Sequence, residues 1–246
     1  MAKKMGFMPN RWNKPTKIVF DNNYFGENPG LYNLMELNCA VKDGSSISNN
    51  TFVKGAASHN FINLYQLDDN ATINIDGNSF DCSANTNPIR IAARDVVDAN
   101  GSHAPHNVII NIRNNTFSAT DWDPEWAGIL FFQPYDNLTS DFSGISVNLS
   151  GNVNNSNQNQ LFYFYIDNTL TTRNGVEEYR DTQYMANATD TSKFPTIYVD
   201  GVKLSDEELL ARVVAWDSKT NSVVSLADYF APAGETPEPL VEEEGN

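Results

Sequence analysis

The stretch Ile110-Asn111-Ile112-Arg113-Asn114-Asn115-Thr116-Phe117 decides the fold, because variants of it occur at four other places in the chain. The other copies begin at Ile18, Ser45, Ile73 and Val147. Each ends in an Asn-Asn or Gly-Asn pair, and in four of the five a phenylalanine follows two residues later. Alignment of the copies puts one asparagine of each in the same column: Asn23, Asn50, Asn78, Asn115 and Asn152. A repeat of this length predicts supersecondary units that bury their apolar faces by stacking on one another.

Each copy contains three signals with separate physical causes. The alternation of apolar and polar residues predicts a strand with one face inward. The Asn-Asn or Gly-Asn pair tolerates a left-handed backbone and predicts a sharp bend. The phenylalanine then returns to the core, and we expect the aligned asparagines to bond to each other up the stack, as amide ladders do. A second apolar segment follows each copy, and these segments are residues 31–37, 61–67, 89–93, 129–135 and 161–166.

Strand, bend and strand recur with no helical period between them, which predicts an all-β right-handed parallel β-helix of about five coils. An antiparallel sandwich also has short strands and Asn or Gly turns, but it does not usually repeat one turn sequence in register. The run of coils, over residues 16–170, resembles the pectate-lyase-like β-helix superfamily, which includes β-helical virion proteins of bacteriophages. That resemblance implies a fold and almost no activity, because the same fold carries lyases, hydrolases, tailspikes and inert scaffolds.

The two ends of the chain differ from the middle. We divide the chain into a basic arm (1–17), the β-helix (18–170), a C-terminal cap (171–232) and an acidic, flexible tail (233–246). In the cap, Asp200-Gly201 predicts a hairpin, Ser205 and Glu208 predict a capped helix, and Leu209, Leu210, Val213 and Val214 form an apolar stripe at helical spacing. The arm has no acidic residue, and it either docks on an acidic partner or covers the first coil. Its candidate docking residues are Lys3, Lys4, Phe7, Arg11, Trp12 and Lys14.

Composition narrows the classes of partner and site. A net charge of −15 disfavours nucleic acid, since phosphate contacts need clustered lysine and arginine. Two cysteines, Cys39 and Cys82, are too few for a disulfide framework or a zinc cluster, so we expect free buried thiols. We find neither a signal peptide nor a membrane span, and we expect synthesis in a host cytoplasm followed by incorporation into a virion.

A search for catalytic residues gives only weak candidates. Arg90, Arg94 and Asp95, with Asp68 and Asp69 one coil earlier, are the best grouping for polysaccharide chemistry, although Arg94 and Asp95 read more simply as a surface ion pair. The Asp pair, Gly-His-Gly and Arg-Ile-Lys of polygalacturonase-type relatives are absent. His103 and His106 lack a visible third ligand, so we expect no metal and no cofactor.

Trp122 and Trp126, beside three carboxylates in a predicted loop, suit a sugar or a protein contact, or they shield the coil.

The sequence therefore favours a structural attachment module over an enzyme. We expect a virion-associated protein, a capsid decoration or head fibre, docked through its arm on a capsid or other virion protein, with self-association open. The alternative is a carbohydrate-active β-helix enzyme or a tailspike-like polysaccharide-binding protein.

Overall fold

A computed structural model describes residues 4–9, 11–28, 30–82, 86–99, 101–119, 130–132, 141–156, 162–167, 170–173, 176–179, 191–217 and 222–225. These residues form an all-β structure in which three large sheets are built mostly from parallel strand pairs. The strands are numbered in chain order. Trp122, Trp126, Lys3 and the acidic tail lie outside the described residues.

Sheet A contains the long strands. Its members are β1 (Lys4–Phe7), β2 (Arg11–Thr16), β5 (Leu31–Val41), β8 (Asn60–Leu67), β11 (Asn87–Arg94), β16 (Leu130–Phe132), β19 (Phe162–Asp167), β24 (Val213–Asp217) and β25 (Ser222–Ser225). Five of these strands fall on the five apolar segments predicted from the sequence: β5, β8, β11, β16 and β19.

Sheets B and C contain the strands before and after each asparagine bend. Sheet B consists of β3 (Val19–Asp21), β6 (Ser45–Ser48), β9 (Thr72–Asp76), β14 (Val108–Arg113), β17 (Ile145–Ser150), β22 (Thr196–Val199) and β23 (Val202–Lys203). Sheet C consists of β4 (Tyr24–Phe25), β7 (Thr51–Phe52), β10 (Ser79–Asp81), β15 (Thr116–Ala119) and β18 (Val153–Ser156).

The chain visits the three sheets in the fixed order B, C, A, and each strand pairs in parallel with its counterpart in the next repeat. The register follows the aligned phrases: Ile73 lies opposite Ile110, and Ile110 lies opposite Val147. Such an arrangement is compatible with a β-helix. Two antiparallel hairpins interrupt the order, β12 (Val96–Asp98) with β13 (Gly101–His103), and β20 (Leu170–Arg173) with β21 (Val176–Tyr179).

Alternation along the strands of sheet B decides which side chains are buried. In β9, β14 and β17 the inward positions are apolar and buried, and the positions between them are polar and partly exposed, except for the exposed Ile109 in β14. Across the bend, Phe25, Phe52, Phe80 and Phe117 stack face to face, with ring centroids 4.8, 4.7 and 5.0 Å apart. The last three of these rings are fully buried, so the phenylalanine column is the centre of the core. Cys39 and Cys82 are free and buried, as expected.

The N-terminal arm pairs with the first long strand. Both β1 and β2 run parallel to β5, on the side of β5 that does not face β8. The ring of Phe7 packs edge-on against Phe20 at 5.0 Å, while Arg11 and Lys14 point to solvent. The arm therefore covers the open edge of β5 and still presents basic side chains outward.

The C-terminal region differs in two ways from what the sequence predicted. The repeat was expected to end near residue 170, but β22 pairs in parallel with β17, and β24 pairs in parallel with β19. The stripe that includes Val213 and Val214 was expected to be helical, but the helix, α1 (Asp206–Leu210), ends before them and both valines lie in β24. Parallel pairing explains both differences. It continues the repeat beyond residue 170, and it places the two β-branched valines in a strand, which suits them.

Other local signals in this region are confirmed. The hairpin at Asp200-Gly201 joins β22 and β23, and both turn residues have positive φ. Helix α1 (Asp206–Leu210) begins with the predicted capping box of Ser205 and Glu208. A 3-10 turn (Thr191–Lys193) brings the Lys193 ammonium within 2.8 Å of the Asp141 carboxylate. Within the described part of the chain, no helix has the length and apolar character needed to cross a bilayer.

Candidate functional site

The aligned asparagines form a continuous hydrogen-bonded column. At each step, Oδ1 of one asparagine accepts bonds from the backbone N–H and from Nδ2 of the preceding one, at 2.9 to 3.1 Å. Each Nδ2 from Asn50 onward also donates to a backbone carbonyl of the preceding repeat. The three central members, Asn50, Asn78 and Asn115, are at most 2 % exposed. One amide column therefore fixes the bend of every repeat to that of the next.

The residue before each column member makes the bend itself. Asn22, Asn49 and Asn114 have φ between 53° and 56°, and glycines occupy the same place in the third and fifth copies with φ of 67° and 61°. This left-handed conformation costs glycine and asparagine little free energy and strains most other residues. That difference explains the Asn-Asn or Gly-Asn pair in each copy.

Two further amide rows escaped the sequence reasoning. On sheet B, Asn148 donates to Asn111 and Asn111 donates to Asn74, at 2.8 and 2.9 Å. On sheet A, Asn60 donates to Asn33 at 2.8 Å. The signal was present in the spacing, because residues one repeat length apart, 27 or 37 positions, lie side by side on adjacent strands.

A further polar row occupies positions of sheet A that alternate with its core residues. Glu36, Asn63 and Arg90 lie opposite one another on β5, β8 and β11, and all are at most 7 % exposed. The Arg90 guanidinium stacks over the ring of Tyr65 at 5.4 Å, and Asn33 donates to the Glu36 carboxylate. The row holds one carboxylate, and the strand segments of β5, β8 and β11 contain no other.

An open cavity of about 370 Å³ lies where the arm meets sheet A, lined by Trp12, Asn13, Gln66, Arg94, Asp95 and Val97. The Arg94 guanidinium lies over the Trp12 ring at 4.6 Å, a cation–π contact. Asn13 and Gln66 bond reciprocally, and Gln66 also donates to the backbone carbonyl of Asp95. The description of Asp95 as part of a surface pair is wrong, because the residue is 5 % exposed. The cavity therefore lies at a hydrogen-bonded contact between the arm and strands β8 and β11.

The residues grouped as catalytic candidates separate into different surroundings. Arg90 belongs to the polar row, Arg94 and Asp95 belong to the arm cavity, and Asp69 lies with the two loop histidines. Hydrolysis of a glycoside needs two carboxyl groups about 5 to 10 Å apart across a groove. The polar row supplies one carboxylate, so it does not present that pair.

His103 and His106 find an acidic neighbour that the sequence did not reveal. The Asp69 carboxylate lies between them, 2.9 Å from Nε2 of His103 and 3.0 Å from Nδ1 of His106. The hydrogen bond to Asp69 raises the pKa of His103 and outweighs burial, which lowers it. Asp69 and His106 are 37 residues apart, which is the repeat length in this part of the chain. That spacing is the sequence signal that would have found the cluster.

The arm residues are placed as follows. Trp12 packs edge-on against Tyr65 at 5.7 Å and under Arg94, so its ring is partly buried. Phe7 is 40 % exposed, and Arg11 and Lys14 are exposed. Lys4 lies in β1. The rings of Phe7 and Trp12 therefore hold the arm to the sheets, and Arg11 and Lys14 face solvent.

Comparison with known proteins adds no relative: no family model, no curated protein and no solved structure matches this chain.

Proposed function

We propose that this chain is a structural attachment module, a right-handed parallel β-helix of about five coils that projects from a larger protein assembly. The observation that carries the proposal is the asparagine column, which links five successive bends from Asn23 to Asn152. A stack in which each bend is bonded to the next resists bending and shear, which are the demands on a rod or a decoration protein. The resemblance to β-helical phage proteins makes a virion the proposed assembly.

The docking end of the module is the arm. Its strands pair with β5, while Arg11 and Lys14 remain exposed on a protein whose net charge is −15. A local basic surface on an acidic protein is complementary to an acidic partner surface, and it orients the module as well as attracting it. We propose that the basic side of the arm binds an acidic surface of a capsid or other virion protein.

A carbohydrate-active enzyme is the competing function. It needs paired carboxylates on adjacent coils, and the three longest strands of sheet A present one, Glu36. That shortage supports the structural proposal over the enzymatic one.

Association with particles tests the proposal first. Cells that produce this chain are lysed, their particles are separated on a density gradient, and the chain is detected with an antibody. We expect the chain in the particle fraction. Recovery only as free protein at the top of the gradient would contradict an attachment role.

A charge reversal then tests the arm. Particles are washed free of the chain, and purified variants are added back. Lys14→Glu leaves the strand pairing of β2 intact and should weaken binding to these particles about 10-fold, a loss of roughly 1.4 kcal/mol of binding free energy. Lys203 is also an exposed lysine, on β23, so Lys203→Glu is the matched control and should rebind like the parent chain. Equal affinity of the two variants would remove the docking role of the arm.

A further inference from the structure

Three ligand-type side chains from two repeats meet at one corner of the structure. Asp69 lies in the turn that follows β8, His103 is the last residue of β13, and His106 precedes β14. The hairpin of β12 and β13 is the insertion that lengthens this repeat, and it delivers His103 to the carboxylate of the previous repeat. The insertion therefore creates a cluster that a shorter repeat would lack.

The contacts within the cluster are short and involve both carboxylate oxygens. Oδ2 of Asp69 lies 2.9 Å from Nε2 of His103, and Oδ1 lies 3.0 Å from Nδ1 of His106. One ligand atom from each of the three residues can be chosen so that all lie within 4.8 Å of one another. The two imidazole centroids are 5.7 Å apart, so the rings flank the carboxylate without stacking on each other.

Backbone contacts hold the cluster in place. The backbone N–H of His106 donates to Oδ1 of Asp69 at 3.0 Å, and the N–H of Asn70 donates to the carbonyl of His106 at 3.1 Å. Asn107 donates its side-chain amide to Asn70, which joins the two turns a second time. Below them, the backbone of His106 packs directly on Gly144, where an added Cβ would lie 2.7 Å from its Cα. The turns of three successive repeats thus fix two of the three candidate ligands.

Two imidazoles and one carboxylate form a donor set for a divalent transition-metal ion, and Zn²⁺ accepts this set with a water in the remaining position. Zn²⁺ bonds of about 2.0 to 2.1 Å put the ligands of a tetrahedral ion roughly 3.3 Å apart, a few tenths of an ångström wider than the two contacts with Asp69. The His106 side chain is 60 % exposed, so this side of the cluster is open to water and to an incoming ion.

We propose that Asp69, His103 and His106 bind one divalent transition-metal ion, Zn²⁺ being the best fit, which clips the insertion hairpin to the turn of the preceding repeat. Exposure of the cluster rises from 21 % at Asp69 to 32 % at His103 and 60 % at His106, so the ion enters from the side of His106. The proposal stands on the geometry of this corner and is independent of the attachment function.

The test uses the full chain without a polyhistidine tag, stripped with chelator and titrated with Zn²⁺ by calorimetry. We expect one equivalent to bind with a dissociation constant below about 10 μM. His103→Ala should weaken Zn²⁺ binding at least about 100-fold. Replacing a residue that only hydrogen-bonds to a metal ligand already lowers metal affinity about 10- to 100-fold. His59→Ala is the matched control, because His59 stacks on Tyr32 at 4.2 Å and is not one of the three proposed ligands.

Asp69→Asn is the second variant, since it preserves the size of the side chain and removes the carboxylate charge. It keeps the proposal falsifiable if His103→Ala does not fold, as judged by circular dichroism. Binding in the parent chain and in His59→Ala, with loss in the folded ligand variants, supports the site. Failure of the parent chain to bind Zn²⁺, or unchanged affinity in Asp69→Asn, overturns it.

Discussion

Replacing Asn115 by alanine removes one rung of the asparagine column. Oδ1 of Asn115 accepts from the backbone N–H and from Nδ2 of Asn78 at 2.9 and 3.0 Å. Its Nδ2 donates to the carbonyl of Ile75 at 3.0 Å and to Oδ1 of Asn152 at 3.1 Å. The side chain is fully buried, and φ is positive at Asn114 and not at Asn115, so alanine adds no backbone strain. The lost hydrogen bonds are therefore the main cost, and backbone strain does not add to it.

The magnitude follows from the groups left behind. The backbone N–H of Asn78 loses its side-chain acceptor, and a buried donor without a partner costs about 1 to 3 kcal/mol. Nδ2 of Asn78 keeps its bond to the carbonyl of Ile47, so the other lost bonds contribute nearer 0.5 to 1.5 kcal/mol each. These four losses sum to about 2.5 to 7.5 kcal/mol. For a chain of this size that corresponds to a fall in Tm of roughly 5 to 30 °C.

The assay is urea unfolding followed by far-UV circular dichroism, with Asn111→Ala as the control. Asn111 belongs to the outer amide row, where two side-chain bonds are partly open to water, so its loss should cost less than about 1 kcal/mol. An Asn115→Ala variant no less stable than Asn111→Ala would refute the reasoning that the buried column holds the repeats together.

Three further variants probe the core, a bend and an ion pair. Phe80→Ala opens the phenylalanine stack at a fully buried ring and should lower the free energy of unfolding by about 3 to 5 kcal/mol, measured in urea; a loss under 1 kcal/mol would contradict a packed column. Gly77→Ala forces a side chain into a left-handed bend, with its Cβ 2.7 Å from Oδ1 of Asn49, and should cost about 1 to 2 kcal/mol; a neutral result would deny the strain. Burial tends to raise the pKa of Asp141, but hydrogen bonds, above all from Lys193, outweigh it and lower that pKa. The pair therefore stabilises the fold above the ordinary carboxyl pKa of 3.8, and this contribution disappears as the pH falls through the lower folded value. Asp141→Asn should thus have a lower Tm than the parent at pH 7 and the same Tm near pH 2, and a constant difference would exclude the linkage.

The repeats were predictable because the decisive interactions recur at a fixed spacing. Alternating Ile73 and Ile75, the bend at Gly77 and the return of Phe80 all follow from local propensity, and the same pattern in register predicts which residues stack. The buried asparagine column is the product of the same register, since side chains one repeat apart meet across parallel strands.

Interactions between distant segments were not predictable in the same way. The arm contains Gly6 and Pro15 and lacks alternation, so nothing local indicates that β1 and β2 extend sheet A. Val213 and Val214 follow a capped helix and continue its spacing, yet the parallel pairing with β19 places them in a strand. Asp69 and His103 come together only because a hairpin of the insertion folds back on the preceding turn.

The most direct test of the stacked repeats is a spin-label distance along one row of sheet C. Tyr24 and Val153 are both exposed and lie four strand steps apart in that row, through Thr51, Ser79 and Thr116. Burial raises the pKa of both native thiols, so cysteines introduced at these two positions are labelled selectively. Four steps of about 4.8 Å predict a narrow distribution centred near 19 Å between the labelled sites. A broad distribution, or one centred beyond about 30 Å, would contradict a parallel stack of coils.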